Sequence, residues 1–204
     1  PYTVFAAKKN GVTCVLYTSG ALVVQGKGKD EFIEFYLEPQ ILQNFQYTNP
    51  EIDIDFSAHI GVDEAGKGDY FGPLCIAGVF AEEPQIRKLL EIGVQDSKKI
   101  ADIKILKLAP QIRKICFYQV IRLMPQKYNE LYAKFKNLNF LLAWGHSTVI
   151  DELYKKSHCA NVIIDQFAKK EVLETAVKRK KLTLNLKQMP HAEKDPVVAA
   201  ASIL

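Results

Sequence analysis

The pattern of apolar and polar positions divides the chain into two regions. Residues 1–28 place apolar, β-branched and aromatic residues in short runs with glycines between them, which is typical of strands joined by tight turns. From Asp30 the apolar positions crowd together at helical spacing. Residues 45–58 are polar, contain a proline and show no long period. We therefore predict a small N-terminal α+β domain over residues 1–50 and a second domain over residues 58–204.

The second region alternates strand patterns with helix patterns. Strands are predicted over 59–66, 73–81, 114–123, 161–167 and 182–186. Helices are predicted over 85–93, from Ser97 with Asp96 as the N-cap, from Pro125 with an interruption near 137–139, over 170–181, and from Pro196 with Asp195 as the N-cap. Such alternation favours an α/β fold with a sheet flanked by helices. The first two strands follow each other closely, so we expect part of the sheet to be antiparallel.

Composition narrows the classes of protein that fit. The chain has 204 residues, of which 48% are hydrophobic and 25% charged, as in ordinary globular proteins. No run of about 18 uncharged apolar residues occurs, so we expect no membrane span, and no signal segment is recognised at the start. The four cysteines are far apart, which favours reduced thiols and a cytoplasmic location. We also expect both ends to be truncated, because the chain starts at Pro1 and stops inside a helical pattern.

The charge balance is mildly basic. The formal net charge is +4, with a pI near 8.8. A positive excess fits a polyanionic partner, but the same balance is equally common in proteins that bind none.

Two adjacent acidic residues, Asp63 and Glu64, end the first strand of the second region. Adjacent strand residues point to opposite faces, so at least one of them meets a largely buried environment. Buried carboxylates need a partner or a metal ion. The glycines at 66 and 68 allow a ligand to approach the backbone, and Lys67 between them suits a phosphate. Taken alone, an Asp-Glu pair here is more often a polar turn.

A second apolar strand also ends in a carboxylate, at Asp165. Parallel strands that end in carboxylates can bring them side by side, and ligand sites in open α/β sheets lie at strand ends. Close like charges are costly unless a cation lies between them. Oxygen ligands of this kind suit Mg²⁺ or Mn²⁺.

Two further acidic residues follow near the end of the chain. Asp195 has a structural role as the N-cap before Pro196, whereas the sequence offers no such role for Glu193. We therefore favour Glu193 as the fourth carboxylate. His191 is either a proton shuttle or, more commonly, an ordinary loop histidine.

These residues lie in a series of motifs that resemble one family. The run from Gly61 to Phe80 (GVDEAGKGDYFGPLCIAGVF) is similar to the first active-site motif of the type 2 ribonucleases H. Lysine at position 67, where ribonuclease HII usually has arginine, and Glu193, where it has aspartate, make the chain more similar to ribonuclease HIII. Further segments resemble that family in order along the chain: 69–73, 96–99, 128–129, 137–139, 143–146, 164–167 and 192–193. Residues 17–20 and 24–28 resemble the extra N-terminal domain of the family.

The resemblance implies a ribonuclease H-like mixed sheet flanked by helices and, at the N-terminus, a TATA-binding-protein-like domain. It also implies an endoribonuclease that cuts the RNA strand of RNA/DNA hybrids with two divalent cations, Mg²⁺ or Mn²⁺, leaving 5′-phosphate and 3′-hydroxyl ends. The catalytic set is Asp63, Glu64, Asp165 and Glu193, with Asp63, Glu64 and Asp165 as metal ligands. We expect a monomer whose partner is the hybrid duplex, with no membrane contact.

The resemblance also nominates residues that contact the substrate. Backbone amides of the loop at 66–68 are the expected readers of the 2′-hydroxyl, which distinguishes RNA from DNA. Trp144 is interpreted as a core residue, while His146 is expected to line or support the substrate groove. The substrate-binding set is Gly66, Lys67, Gly68, Ser97, Lys98, Tyr128, Asn129 and Asn137. For Ser97 and Lys98, a capped helix start with solvated lysines is an equally good reading.

Two alternatives remain at this point. One is a ribonuclease HII-like enzyme that also cuts at single ribonucleotides in DNA. The other is a non-catalytic nucleic-acid-binding relative, against which the retention of four carboxylates argues. A Walker-type nucleotide site fits poorly, because the upstream glycine with the required spacing is missing.

Overall fold

A computed structural model describes residues 2–43, 47 and 54–204. The chain separates into two compact units, Pro1–Ile54 and Asp55–Leu204. Most of the polar stretch 45–58, where the sequence predicts the domain boundary, lies outside the described residues. Within the described part of the chain, no helix is both long and apolar enough to cross a membrane.

The first unit is an antiparallel sheet followed by a helix, as predicted. Its strands lie in the order β1-β2-β3. Asn10 and Gly11 both have positive φ and join the first two strands, which is the backbone that a two-residue hairpin requires. The bounds are β1 Thr3–Lys9, β2 Val12–Tyr17, β3 Leu22–Gly26 and α1 Lys29–Phe32, which continues as a π-helix over Ile33–Leu42.

The second unit contains a mixed five-stranded sheet in the order β6-β5-β4-β7-β8. The central strand, β4, pairs antiparallel with β5 and parallel with β7, so the relative direction of neighbouring strands changes at the centre of the sheet. This confirms the predicted mixture of orientations. The strands are β4 His59–Ala65, β5 Leu74–Ala81, β6 Phe117–Leu123, β7 Asn161–Asp165 and β8 Asn185–Met189.

Helices cover both faces of this sheet. The longest, α5, packs on β4, β5 and β6, while the Ala-rich α7 packs on β4 and β5. The helices are α2 Glu83–Glu91, α3 Asp102–Ile115, α4 Pro125–Phe135, α5 Leu138–Ser157, α6 Lys170–Arg179 and α7 Pro196–Ile203, with 3₁₀ turns at Ser97–Lys99 and Ala192–Lys194.

Three elements begin three residues or more away from their predicted positions. Asp96 does accept a hydrogen bond from the Lys98 amide, but it caps a single 3₁₀ turn, and α3 begins later, at Asp102. The strand predicted over 114–123 begins at Phe117, because the helix before it runs to Ile115. The strand predicted over 182–186 lies at Asn185–Met189, since the parallel register with β7 selects that segment over the more apolar one before it.

Glycines let the helices approach the central strands. An added Cβ at Gly61 would lie 2.4 Å from the Val198 amide nitrogen, so this position faces α7. At Gly78 an added Cβ would meet the side chains of Val149, Leu153 and Val62 on the α5 face. Gly61 and Val62 are neighbours on β4, so alternate residues of this strand face opposite helices.

Candidate functional site

Asp63 and Glu64 lie at the end of β4 and point to opposite faces of the sheet. Strand alternation places Asp63 on the same face as Gly61, towards α7, and Glu64 on the same face as Val62, towards α5. The predicted divergence of the two side chains therefore holds. Each carboxylate has a different set of neighbours.

Asp165 lies beside Asp63 in the sheet. The parallel register pairs Gly61 with Ile163 and Val62 with Ile164, so the next residues of both strands are the two aspartates. Ile163 packs with Val198 and Ala192, which places its face, and that of Asp165, on the α7 side. The two strands are therefore parallel neighbours with carboxylates at this edge of the sheet, as the sequence predicts.

Glu193 is in the 3₁₀ turn that leads into α7. Asp165 Oδ1 accepts a hydrogen bond of 3.4 Å from the Ala192 amide, which ties this turn to the end of β7. His191, with a left-handed backbone and an exposed ring, has its Nδ1 3.3 Å from Glu193 Oε1. Burial raises the pKa of Glu193, but other influences outweigh it and the net shift is downwards. These are a backbone hydrogen bond, the hydrogen bond to His191 and the positive charge of Lys98.

Lys98, in the 3₁₀ turn at Ser97–Lys99, brings a positive charge near the acidic residues. Its positive charge acts on both Asp63 and Glu193. The turn is fixed to α7 by a 3.3 Å hydrogen bond that the Ser97 amide donates to Ser202 Oγ. Lys98 therefore lies near the α7-face carboxylates, whereas the Ser97 backbone has a structural role.

Glu64 is held by two cationic or polar partners. Its Oε2 lies 3.0 Å from His146 Nε2 and its Oε1 lies 3.2 Å from Lys67 Nζ. Burial would raise the pKa of this carboxyl, but His146 and Lys67 outweigh that influence and the net shift is downwards. Glu64 is therefore held ionised.

Asp63 has the opposite electrostatic environment. Burial is the main influence and, together with the negative charges of Glu64 and Asp165, it raises the pKa of Asp63 to about 7; the Glu64 amide and Lys98 only partly oppose this. The Glu64 amide donates a 2.8 Å hydrogen bond to Asp63 Oδ1. A buried carboxyl close to two other carboxylates is suited to binding a cation.

The donor chemistry fits a hard divalent ion, although the side chains are not yet arranged around one. Over residues 2–43, 47 and 54–204, no three His, Cys, Asp or Glu side chains converge into a ready-formed metal cage. Glu64 is occupied by His146 and Lys67, and Glu193 by His191. Asp63 and Asp165 are the pair whose strand positions bring them together.

The two glycines of the loop after β4 serve different purposes. Both have positive φ, which glycine adopts without strain. An added Cβ at Gly66 would lie 2.4 Å from the Pro73 carbonyl oxygen, so the protein itself fills that space. At Gly68 an added Cβ would meet no atom of the described residues within 4 Å, so of the two glycines this one has room for a ligand against its backbone.

Two aromatic side chains project from the same loop. Tyr70 is 92% exposed and Phe71 is 83% exposed, and their rings contact edge to face with centroids 4.8 Å apart. Sequence reasoning did not single them out as site residues. The signal available was two adjacent aromatic residues inside a glycine-rich loop.

The remaining predicted substrate residues lie on α4 and at the start of α5. Tyr128 packs against the core and stacks on Tyr132, and Asn129 is exposed. Asn137 accepts hydrogen bonds from the amides of Asn139 and Phe140, so it is the N-cap of α5. Among the described residues, no hydrogen bond or ion pair joins these three side chains to the four carboxylates.

Asp195 has the structural role that the sequence predicts. Its Oδ1 accepts hydrogen bonds from the amides of Val197 and Val198 at the start of α7. The same oxygen lies 3.1 Å from Nε2 of the buried His59, whose Nδ1 is 2.7 Å from the Ser57 carbonyl. Sequence reasoning missed His59, which fixes the start of α7 to the start of β4.

A family model described as Ribonuclease HII matches residues 60–204, which defines the class of this protein as a type 2 ribonuclease H. A second model, described as a domain of unknown function (DUF3378), matches residues 1–49. Relatives named Ribonuclease HIII match the whole chain. The one from Protochlamydia amoebophila is 57% identical over 203 residues, covering 100% of this chain and 67% of the relative. The one from Chlamydia pneumoniae is 55% identical over 205 residues, covering 99% and 68%.

Within that class the chain belongs to the ribonuclease HIII family, and solved structures agree. A structure of Bst-RNase HIII in complex with Mn²⁺ has a TM-score of 0.70 at 27% identity, covering 100% of this chain and 70% of that one. A structure of Aquifex aeolicus RNase H3 has a TM-score of 0.61 at 25% identity, covering 100% and 71%. The chain is thus a metal-dependent ribonuclease, and the fold expected from the resemblance is confirmed.

Proposed function

We propose that this chain hydrolyses the RNA strand of RNA/DNA hybrids at the site formed by Asp63, Glu64, Asp165 and Glu193. The observation that carries the proposal is the register of β4 and β7, which brings Asp63 and Asp165 together beside the Glu193 turn. The names of the relatives and the Mn²⁺-bound neighbour support the activity and the cofactor.

The metal ligands in this proposal are Asp63, Glu64 and Asp165, with Mg²⁺ or Mn²⁺ as the cofactor. Bound divalent cations would supply charge neutralisation for the phosphodiester and an activated water. Asp63 and Asp165 present oxygens from the α7 face, and Glu64 presents one from the α5 side. Glu193 would hold a metal or orient the attacking water, and the products carry 5′-phosphate and 3′-hydroxyl ends.

The substrate is held by the loop after β4 and by the turn that carries Lys98. The Gly68 backbone, which has open space before it among the described residues, would meet the 2′-hydroxyl of the RNA strand. Lys67 and Lys98 bring positive charge to the backbone phosphates. Tyr70 and Phe71 offer exposed apolar surface for contact with the duplex. Gly66 shapes the loop, and Ser97, Tyr128, Asn129 and Asn137 complete the proposed contact surface.

The variant Asp63→Asn tests the site. It keeps the side-chain shape but removes the negative charge, so we expect cleavage of a labelled hybrid in Mg²⁺ or Mn²⁺ to be abolished, while hybrid binding measured by fluorescence anisotropy survives. The exposed Asp102, at the start of α3, provides the matched control Asp102→Asn. Cleavage by Asp63→Asn at the wild-type rate would refute the assignment.

The domain arrangement and the wider setting are part of the same proposal. Residues 1–50 act as a hybrid-binding module, with Lys27 and Lys29 near phosphates, and residues 58–204 form the catalytic domain. Deleting residues 1–50 is expected to weaken hybrid binding, and an unchanged affinity would exclude this role.

The protein acts as a cytoplasmic monomer. A duplex with one ribonucleotide distinguishes it from ribonuclease HII, because efficient cutting there would favour the latter.

A further inference from the structure

A buried histidine on α5 contacts Glu64 on β4 and the segment that follows β7. The His146 side chain is 0% exposed, and its Nε2 lies 3.0 Å from Glu64 Oε2 at the end of β4. Its ring stacks on Phe167, with centroids 4.8 Å apart. Phe167 follows the end of β7, where its amide donates a 3.0 Å hydrogen bond to the Asp165 carbonyl. The His146 imidazole therefore contacts Glu64 directly and is linked to Asp165 through Phe167.

The packing of α5 explains how the ring reaches this position. The preceding residue is Gly145, where an added Cβ would lie 2.1 Å from Ile76 Cδ1 on β5. The absence of a side chain there lets α5 lie directly on the sheet. His146 then reaches the strand ends, and its full burial means that it cannot contact substrate in this arrangement. The expected role of lining the groove is therefore narrowed to supporting it.

The hydrogen-bond inventory fixes the direction of the contact. An ionised carboxylate can only accept, so His146 Nε2 donates to Glu64. In a neutral ring, Nδ1 then carries a lone pair, and this buried nitrogen has no hydrogen-bond partner among the described residues. Leaving a buried polar atom unpaired is unfavourable, so an apolar residue would satisfy the packing better. Packing alone thus gives no reason for a histidine here.

The two oxygens of Glu64 are held in different ways. Oε2 is bonded to the fully buried His146, whose ring is fixed by Phe167. Oε1 is bonded to Lys67, whose side chain is 39% exposed and therefore free to move away. The ammonium of Lys67 marks the side of the carboxylate on which positive charge is favoured.

We propose that His146 is a positioning residue that holds Glu64 Oε2 and so directs Oε1 towards the divalent cation. This rests on the proposed function, in which Glu64 is a metal ligand. Hydrogen-bonded partners behind a ligand orient it, and their loss typically weakens metal binding by about 10–100-fold. The same effect is expected here.

The test compares three substitutions in the full chain. His146→Gln places an amide N–H about where Nε2–H lies, His146→Asn is too short to reach Glu64, and His146→Leu fills the space without a donor. The control is His158→Gln, at the exposed C-terminal end of the same helix. Mn²⁺ affinity is measured by isothermal titration calorimetry, kcat and KM by hybrid cleavage, and folding by the melting midpoint.

We expect His146→Leu and His146→Asn to lose about 10–100-fold in Mn²⁺ affinity and to lower kcat with little change in KM for the hybrid. His146→Gln should restore most of both values, and His158→Gln should match the wild type. If the leucine variant does not fold, the glutamine and asparagine variants decide the question.

Two results would overturn the proposal: unchanged Mn²⁺ affinity in folded His146→Asn, or equal losses in the glutamine and asparagine variants. The second result would assign the residue to packing alone. A wild-type chain that binds Mn²⁺ but cleaves no hybrid would refute the proposed function, while the affinity comparison at His146 would still stand.

Discussion

The contact between Gly61 and α7 gives a direct test of how the site is held together. In Gly61→Ala, the new Cβ would lie 2.4 Å from the Val198 nitrogen, 2.6 Å from the Val197 carbonyl carbon and 2.9 Å from its oxygen. All three are backbone atoms, so no side-chain rotation relieves the clash. The helix must move away from β4 by roughly 1 Å to reach ordinary carbon contact distances of about 3.5 Å.

The size of the effect follows from the cost of overpacking. Inserting a methyl group into a well-packed core typically costs ~1–3 kcal/mol, and we expect the upper end because backbone has to move. With a urea m-value of about 2 kcal/mol/M, a loss of 3 kcal/mol lowers the unfolding midpoint by about 1.5 M. Trp144, the single tryptophan of the chain, lies in the same unit and reports the transition by fluorescence.

The matched control for this prediction is Gly78→Ala. Its added Cβ would meet only side-chain atoms, at 2.5 Å from Val149 and 2.8 Å from Leu153, and these can rearrange. The Gly61 variant should therefore lose more stability and, because α7 follows the Glu193 turn, more Mn²⁺ affinity. A midpoint for Gly61→Ala equal to that of the wild type would refute the close packing of α7 on β4.

Three further predictions concern other residues. Burial lowers the pKa of His59, but the hydrogen bond and charge of Asp195 outweigh it and the net shift is upwards, so the stability that this pair contributes is complete below the unfolded pKa of about 6.5 and is lost as pH rises through the higher folded value. Urea midpoints from pH 5.5 to 8.5 should therefore fall in the wild type and change less in His59→Gln, and parallel profiles would contradict the shift. Replacing both Tyr70 and Phe71 with alanine should weaken hybrid binding by about 1 kcal/mol per ring through lost apolar contact with the duplex without changing Mn²⁺ affinity, and unaltered anisotropy would remove these rings from the substrate surface. Asn137→Ala should cost about 1 kcal/mol of stability through loss of the α5 N-cap and, because Asn137 belongs to the proposed contact surface, should also raise KM for the hybrid. A KM equal to that of other equally destabilised variants would leave Asn137 with the capping role alone.

Elements with a strong local pattern were predictable from the sequence. The alternation over β4 and the apolar run of β7 located both strands, and with them the positions of Asp63 and Asp165. The role of Asp195 also followed from local chemistry, because an acidic residue before proline at a helix start has one common use. These features depend on residues that are close together in the chain.

Features that depend on long-range packing were not predictable in the same way. The partners of Glu64 are a lysine three residues away and a histidine on α5, and only the close approach at Gly145 brings the latter near. The first residues of β8 were mispredicted because the register with β7, rather than the most apolar segment, determines which residues pair. His59 gave no signal because its partner lies 136 residues away.

The opposite orientations of Asp63 and Glu64 have a mechanical consequence. The two residues are joined by one peptide bond, but their side chains face different helical layers. Glu64 is fixed to α5 through His146, whereas Asp63 faces the α7 layer. A small sliding of one helical layer relative to the other would therefore change the spacing of the carboxylates while leaving every strand paired. In the proposed site, such sliding would change the distance between the two ion ligands, so we expect cleavage to be lost under mild perturbation well before the domain unfolds.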